Sequence, residues 1–247
     1  MAWLDVEEVS VRFGGVKAVH LVDLDVAAGA VTGLIGPNGA GKTTLFNAIC
    51  GLQAIEHGRV VLADKDITKV KAHDRARLGI ARTFQRLELF GSMSARDNIR
   101  VAADVHQSYS RRSGAARAGS PQERVEDILD RVGLRAVADD RVDALPTGLA
   151  RLVEVGRALA GLPTLLLLDE PSSGLSEEET DAFAALLQGL AADGLGILLV
   201  EHDVELVMQV CARIHVLDFG RVIASGTPAE VQQNELVQSA YLGTAAP

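Results

Sequence analysis

The stretch Val31-Thr32-Gly33-Leu34-Ile35-Gly36-Pro37-Asn38-Gly39-Ala40-Gly41-Lys42-Thr43-Thr44 decides how this chain is read. A short apolar strand runs into two glycines, Gly36 and Gly41, that bracket four residues and are followed by Lys-Thr. That is the pattern of a phosphate-binding P-loop. An apolar helix from Thr43 to Ile49 follows, and Gly51 closes it. Glycines let backbone N–H groups converge on phosphate oxygens without a side-chain clash, and the helix N-terminus adds a positive dipole end. Asn38, Gly39, Ala40, Gly41, Lys42, Thr43 and Thr44 are therefore candidate nucleotide contacts. Lys42 is placed to reach the β- and γ-phosphates, and the Thr43 hydroxyl to ligate magnesium.

Upstream of the loop the apolar residues alternate. Val9, Val11 and Phe13 lie two apart, as do Val22, Leu24 and Val26 with Asp23 and Asp25 between them, the period of half-buried strands. Gly14-Gly15 and Ala28-Gly29-Ala30 supply turns. The prediction is an antiparallel β portion ahead of a parallel α/β sheet.

Downstream, from about Asp74 to Gly161, the pattern turns helical. This predicts a helical insert over 74–161 within one domain spanning 1–247. Ser120-Pro121-Gln122-Glu123 is a capping box, with Val125, Ile128, Leu129 and Val132 at helical spacing behind it. Ser108–Ser120, rich in Ser, Ala, Gly and Arg, reads as a mobile surface loop whose Arg111, Arg112 and Arg117 are solvated. Further capping boxes open helices at Ser176 and Thr227, and Asp218-Phe219-Gly220-Arg221 reads as a hairpin turn.

The apolar run Leu165–Leu168 ends on Asp169, a carboxylate at the carboxyl end of a buried strand, where ligands of such sheets bind. Asp169 suits a magnesium ion held through water. Glu170, next along an extended strand, points the other way and is the candidate general base for an attacking water. Ile197–Val200 is another buried strand, followed by Glu201 and His202. Its end should lie near the other two, so His202 is read as contacting the γ-phosphate and orienting that water. Gln85, within Arg82-Thr83-Phe84-Gln85, is a candidate magnesium ligand through its amide oxygen and a sensor of the γ-phosphate. His20, His57, His73, His106 and His215 have no such placement and read as structural, and Cys50 and Cys211 as core residues.

Composition narrows the function. The chain has 247 residues, 48% hydrophobic and 23% charged, with 24 Lys plus Arg against 33 Asp plus Glu. A net charge of −9 lacks the basic footprint that nucleic-acid binding needs. Two cysteines make no disulfide framework, which points to a reducing compartment. No apolar run approaches the roughly 18 residues of a membrane span, and Asp5, Glu7 and Glu8 do not suit a signal peptide. The reading is a cytosolic chain that forms no pore alone.

Together these residues resemble the ATP-binding subunits of ABC transporters, over roughly Leu4 to Gly243. The resemblance implies a P-loop core with an N-terminal antiparallel β portion and a helical subdomain. It implies ATP and Mg²⁺ as ligands, with Glu170 the catalytic base, Gln85 the Q-loop and His202 the switch histidine. It places Phe13 against adenine, Ser173–Ser176 at the D-loop, and Leu145-Pro146-Thr147-Gly148-Leu149 at the signature, where Thr147 and Gly148 face a nucleotide. It implies a head-to-tail dimer with a copy or a paralogue, cytoplasmic and peripheral on the inner face of the membrane, coupled to permease subunits through a groove near Arg86–Phe90. A solute-binding protein outside the membrane acts indirectly. Phe13–Val19, Arg82–Gln85, Leu89-Phe90, Leu45-Phe46-Asn47 and Ala240-Tyr241-Leu242-Gly243 look like the branched-chain amino acid importer ATPases. Urea-uptake and lipopolysaccharide-export ATPases share several of these pieces.

Departures stand out. Pro146 and Thr147 replace the serine and first glycine of the family's Leu-Ser-Gly-Gly-Gln signature, Leu149 its glutamine, and Ser176 an Asp or Asn of the D-loop. Proline removes a hydroxyl and an N–H that would face the partner's γ-phosphate, while Thr147 and Gly148 still offer donors at a helix start. The competing classes are a soluble ABC ATPase acting on DNA or ribosomes and a small GTPase or kinase. The first is disfavoured by acidity and by a single nucleotide domain. The second is disfavoured because no Asn-Lys-x-Asp sequence is present.

Overall fold

The structure, a computed structural model, describes residues 2–113 and 120–242. Strands β1 (Ala2–Phe13) and β2 (Val16–Ala27) form the expected hairpin around Gly14-Gly15. β3 (Val31–Ile35) leads through the glycine loop into α1 (Lys42–Cys50), which ends on Gly51 in the left-handed region. β4 (His57–Leu62) and β5 (Lys65–Asp66) complete a small antiparallel sheet of order β2-β1-β4-β5. α2 (Ala72–Arg77) and β6 (Ile80–Arg82) follow. Next come α3 (Ala95–Ser113), α4 (Pro121–Arg131) and α5 (Thr147–Ala160). The remainder is β7 (Leu165–Asp169), α6 (Glu177–Ala192), β8 (Gly196–Val200), α7 (Val204–Val210), β9 (Arg213–Asp218), β10 (Arg221–Gly226), α8 (Pro228–Gln232) and α9 (Glu235–Leu242).

The larger sheet has the order β10-β9-β3-β8-β7-β6, parallel except for the β9–β10 hairpin. Its central strands β3, β7 and β8 are buried along their whole length, which is why β7 and β8 read as unbroken apolar runs. Successive residues feed opposite cores. Leu166, Leu168, Ile197 and Leu199 point into a core shared with α3–α7, whereas Leu165, Leu167, Leu198 and Val200 point into one built with α1 and the small sheet. The capping boxes at Ser120, Ser176 and Thr227 form as read, each with the reciprocal bond from the cap N–H to the following glutamate.

The stretch 74–161 is not helical throughout. Ile80–Arg82 is a strand pairing in parallel with Leu165–Leu167, too short for periodicity to reveal. The start of the loop expected over Ser108–Ser120 is also different. Nothing between Ala95 and Ser113 is glycine or proline, and the helix runs through to Ser113. Residues 114–119, Arg117 among them, and the side chains of Arg111 and Arg112 lie outside the described residues.

Candidate functional site

Because β3, β6, β7 and β8 run parallel, their carboxyl ends share one edge of the sheet. That edge collects the glycine loop after β3, Thr83–Gln85 after β6, Asp169-Glu170 at the end of β7, and Glu201-His202 after β8. The separation of these residues along the chain is closed by topology alone.

The loop is held in shape by close backbone approach. A Cβ on Gly36 would stand 1.9 Å from Leu217 O, and one on Gly41 would stand 2.5 Å from Ala18 O. The Gly220 N–H donates to Ala40 O at 2.8 Å, tying the loop to the β9–β10 turn. Lys42 is only 7% exposed, and its Nζ donates to Gly36 O at 2.6 Å and Pro37 O at 3.0 Å. Burial pushes the Lys42 amine below its ordinary value, while the carboxylates of Glu170 and Asp169 act against that shift. The cation thus sits within the field of both acids.

Asp169 is 2% exposed, and burial pushes its carboxyl up against the pull of the Arg82 guanidinium. Its Oδ2 accepts from Arg82 Nη2 at 3.0 Å, and its N–H donates to Thr83 Oγ1 at 3.2 Å. Glu170 does not continue the extended strand. Its φ is 51°, in the left-handed region, and its N–H donates to Val200 O at 2.9 Å. A non-glycine residue held there costs energy and recurs at functional sites. The turn aims the carboxylate at two of the residues singled out from the sequence. Oε1 lies 2.8 Å from His202 Nε2, and Oε2 accepts from Gln85 Nε2 at 3.2 Å. Glu201 braces the ends of both strands, accepting from Ser172 N at 2.7 Å and His202 N at 3.1 Å. The hydroxyl of Thr43, the amide oxygen of Gln85 and the carboxylate of Asp169 are oxygen donors of the kind magnesium takes, and Asp169 Oδ2 is paired with Arg82 in this structure.

Two candidate groups stand elsewhere. Phe13 is at the hairpin end of β1, 51% exposed. Thr147 and Gly148 form the first turn of α5 and touch the segment before α6. A Cβ on Gly148 would lie 2.8 Å from Leu175 Cδ2 and 3.3 Å from Gly174 O. Ser176 is the N-cap of α6, its side chain accepting from Glu179 N, which gives the serine in place of Asp or Asn a local capping role.

Sequence reasoning missed a set of charged residues behind the site. Arg151 donates to Phe84 O at 2.9 Å and Gln85 O at 2.5 Å. Glu154 accepts from Phe84 N at 3.3 Å and pairs with Arg151 at 3.5 Å. Arg157 donates to Glu88 O and lies 5.0 Å from the Phe90 ring centre. Their spacing of three along α5 was the available signal, since it places them on one helix face. A groove of about 350 Å³, lined by Leu52, Arg75, Arg82, Phe84 and Arg157, opens beside them.

Comparison with known proteins agrees with this arrangement. Residues 19–173 match the family described as ABC transporter, and residues 221–247 the one described as branched-chain amino acid ATP-binding cassette transporter. The chain is 37% identical over 250 residues to a high-affinity branched-chain amino acid transport ATP-binding protein of Pseudomonas aeruginosa, covering 98% of each. It is 36% identical to the protein of that description from Escherichia coli K12, with the same coverage. It is 33% identical over 243 residues to the lipopolysaccharide export system ATP-binding protein of Escherichia coli K12, again with 98% of each covered. Among solved structures, the ADP conformation of an ATP-binding cassette of an ABC transporter superposes with a TM-score of 0.85 at 30% identity, covering 98% of this chain and 99% of that one.

Proposed function

The chain belongs to the ABC transporter family and is one of its ATPases, and from that premise we propose that it drives a membrane importer of branched-chain or other hydrophobic amino acids. What carries the catalytic half of this reading is the pair of contacts on Glu170, from His202 and Gln85, beside the glycine loop and Asp169. The amides of Asn38–Thr44 cradle the phosphates. Lys42 exchanges its two loop carbonyls for phosphate oxygens, the stronger, charge-assisted partners. Phe13 stacks on adenine. Glu170 is the general base that takes a proton from the attacking water, and His202 holds that carboxylate in place and contacts the γ-phosphate. Gln85, between Glu170 and the main chain gripped by Arg151, reports the γ-phosphate to α5.

Thr43, Gln85 and Asp169 would hold a magnesium ion, which supplies charge neutralisation to the phosphates when bound. Thr147 and Gly148, at the N-terminus of α5, present donors to the nucleotide of a second cassette, a copy or a paralogue, in a head-to-tail dimer. Among the described residues no helix is long and apolar enough to cross a membrane. In this reading, separate permease subunits form the path, the chain lies peripherally on the inner membrane face, and a solute-binding protein acts outside.

The amino-acid solute is supported by the match at 221–247 and by the two branched-chain relatives. Lipopolysaccharide export is the second reading, favoured by the relative at 33% identity over the same share of the chain. Affinity purification from detergent-solubilised native membranes separates them. Co-purifying permeases that bind a branched-chain amino acid with their solute-binding protein support import. Partners that extract lipopolysaccharide support export, and the absence of any integral membrane partner would overturn both.

A further inference from the structure

The Arg82 guanidinium is the hub of the buried end of the site. Its side chain is 6% exposed and meets the 3%-exposed side chain of Asp169 at 3.0 Å. The other branch donates to Asn47 Oδ1 at 2.6 Å. Asn47 lies on α1 one turn beyond Thr43, so the two share a helix face. The guanidinium also lies over the rings of Phe46 and Phe84, at 5.3 and 4.9 Å from their centres. The neighbouring Thr83 hydroxyl accepts from the Asp169 main chain. The end of β6 and the residue after it therefore hold Asp169 by side chain and backbone, and tie it to the helix that carries Thr43.

We propose that Arg82 is a positioning residue for the magnesium-facing groups, fixing the Asp169 carboxylate relative to Thr43 through its fork to Asn47. This rests on the nucleotide-site reading above. Lys42 does not take this place, because its Nζ is held at the glycine loop, by Gly36 O and Pro37 O here and by phosphate oxygens once nucleotide binds. A planar fork can bridge two acceptors in fixed geometry, whereas an ammonium is a point charge that orients neither. Arg82 touches no phosphate in this scheme, so it acts on the metal-dependent part of nucleotide binding and leaves the metal-free part alone.

The test is calorimetric ATP binding to the full chain with excess EDTA and then across a magnesium titration, for the unmodified chain, Arg82→Met, Arg82→Lys and Asn47→Ala. Groups that orient a metal ligand typically contribute about 10- to 100-fold to metal affinity, so Arg82→Met should raise the half-saturating magnesium by about that factor while changing ATP affinity in EDTA by less than about twofold. Arg82→Lys should recover only part of the loss, and Asn47→Ala should show a smaller shift of the same sign. An unchanged magnesium dependence in Arg82→Met overturns the proposal, as does an equal loss with and without magnesium. Should Arg82→Met fail to fold, by circular dichroism, unchanged magnesium dependence in both Arg82→Lys and Asn47→Ala overturns it. Failure of the unmodified chain to bind ATP in either condition would instead bring down the nucleotide-site reading itself.

Discussion

Replacing Arg151 by methionine keeps most of the aliphatic stem and removes the guanidinium that joins α5 to the Phe84–Gln85 main chain. Three contacts go at once: the bond to Phe84 O at 2.9 Å, the bond to Gln85 O at 2.5 Å, and the ion pair to Glu154 at 3.5 Å. The ion pair decides the size of the effect. Glu154 is 6% exposed, and burial already pushes its carboxyl above the usual range, opposed by the Phe84 N–H and by Arg151. Removing one partner of a buried pair costs about 3–5 kcal/mol, and that is the expected loss in urea unfolding near neutral pH.

The sign of the pH dependence follows from the same shift. A folded-state value above the unfolded one gives stability that is present at low pH and lost as pH rises through the folded value. The deficit of Arg151→Met should therefore shrink on acidification toward about pH 5, near the carboxylate range. Adding Glu154→Gln removes the lone charge and leaves an amide oxygen for Phe84 N, so the double variant should be more stable than the single one at neutral pH. A single-variant cost under about 1 kcal/mol, or a double variant no better than the single, would refute the assignment of Arg151 as the counter-ion of a buried carboxylate.

Glu170→Gln should keep ATP binding and lose about 10²–10⁴ in turnover, read by phosphate release alongside calorimetry. Turnover near the parent's would reject Glu170 as the base. Lys42→Ala should retain a cooperative melt but lose calorimetric ATP binding with magnesium present, since its charge-assisted bonds are the strong ones. Pro146→Ser should raise the ATPase of the isolated chain by roughly ten- to a hundredfold, the worth of one bond to a charged phosphate at about 1.5–3 kcal/mol. Mixing the parent with a normal-signature partner should raise it further. Brisk hydrolysis by the isolated parent, unmoved by Pro146→Ser, would count against a weakened signature. Cys211, buried and with its thiol pushed up to about 12, should resist maleimide at neutral pH until urea unfolds the chain, and rapid native labelling would contradict its burial.

The sequence exposes what is written in local pattern. Glycine spacing marked the loop, unbroken apolar runs marked β7 and β8, and two Ser-x-x-Glu boxes and one Thr-x-x-Glu box marked three helix starts, because each depends on neighbours in the chain. The orientation of Glu170 was misread as a continuing strand. Its backbone turn is held by Val200 O, a partner thirty positions away that carries no side-chain signature. β6 was hidden by its length, and the far end of α3 by a serine- and arginine-rich composition that mimics a loop. For Arg151, Glu154 and Arg157 the spacing of three showed a shared helix face but not what that face grips, residues 84–88. Charged residues on one helix face look the same whether they meet water or main-chain groups.

The parallel sheet also acts as a partition. Ile128 and Leu129 of α4 belong to one core, Leu45 and Phe46 beneath the glycine loop to the other, and strands closed on both faces stand between them. Substitutions separated by more than about 7–10 Å with no shared neighbours add nearly independently. Conservative changes in the core of α4 should therefore be felt weakly at the glycine loop, whereas α5 reaches the site directly through its hold on Phe84 and Gln85. Inherited change is thus freer on α4 than on the face of α5 that grips the segment after β6.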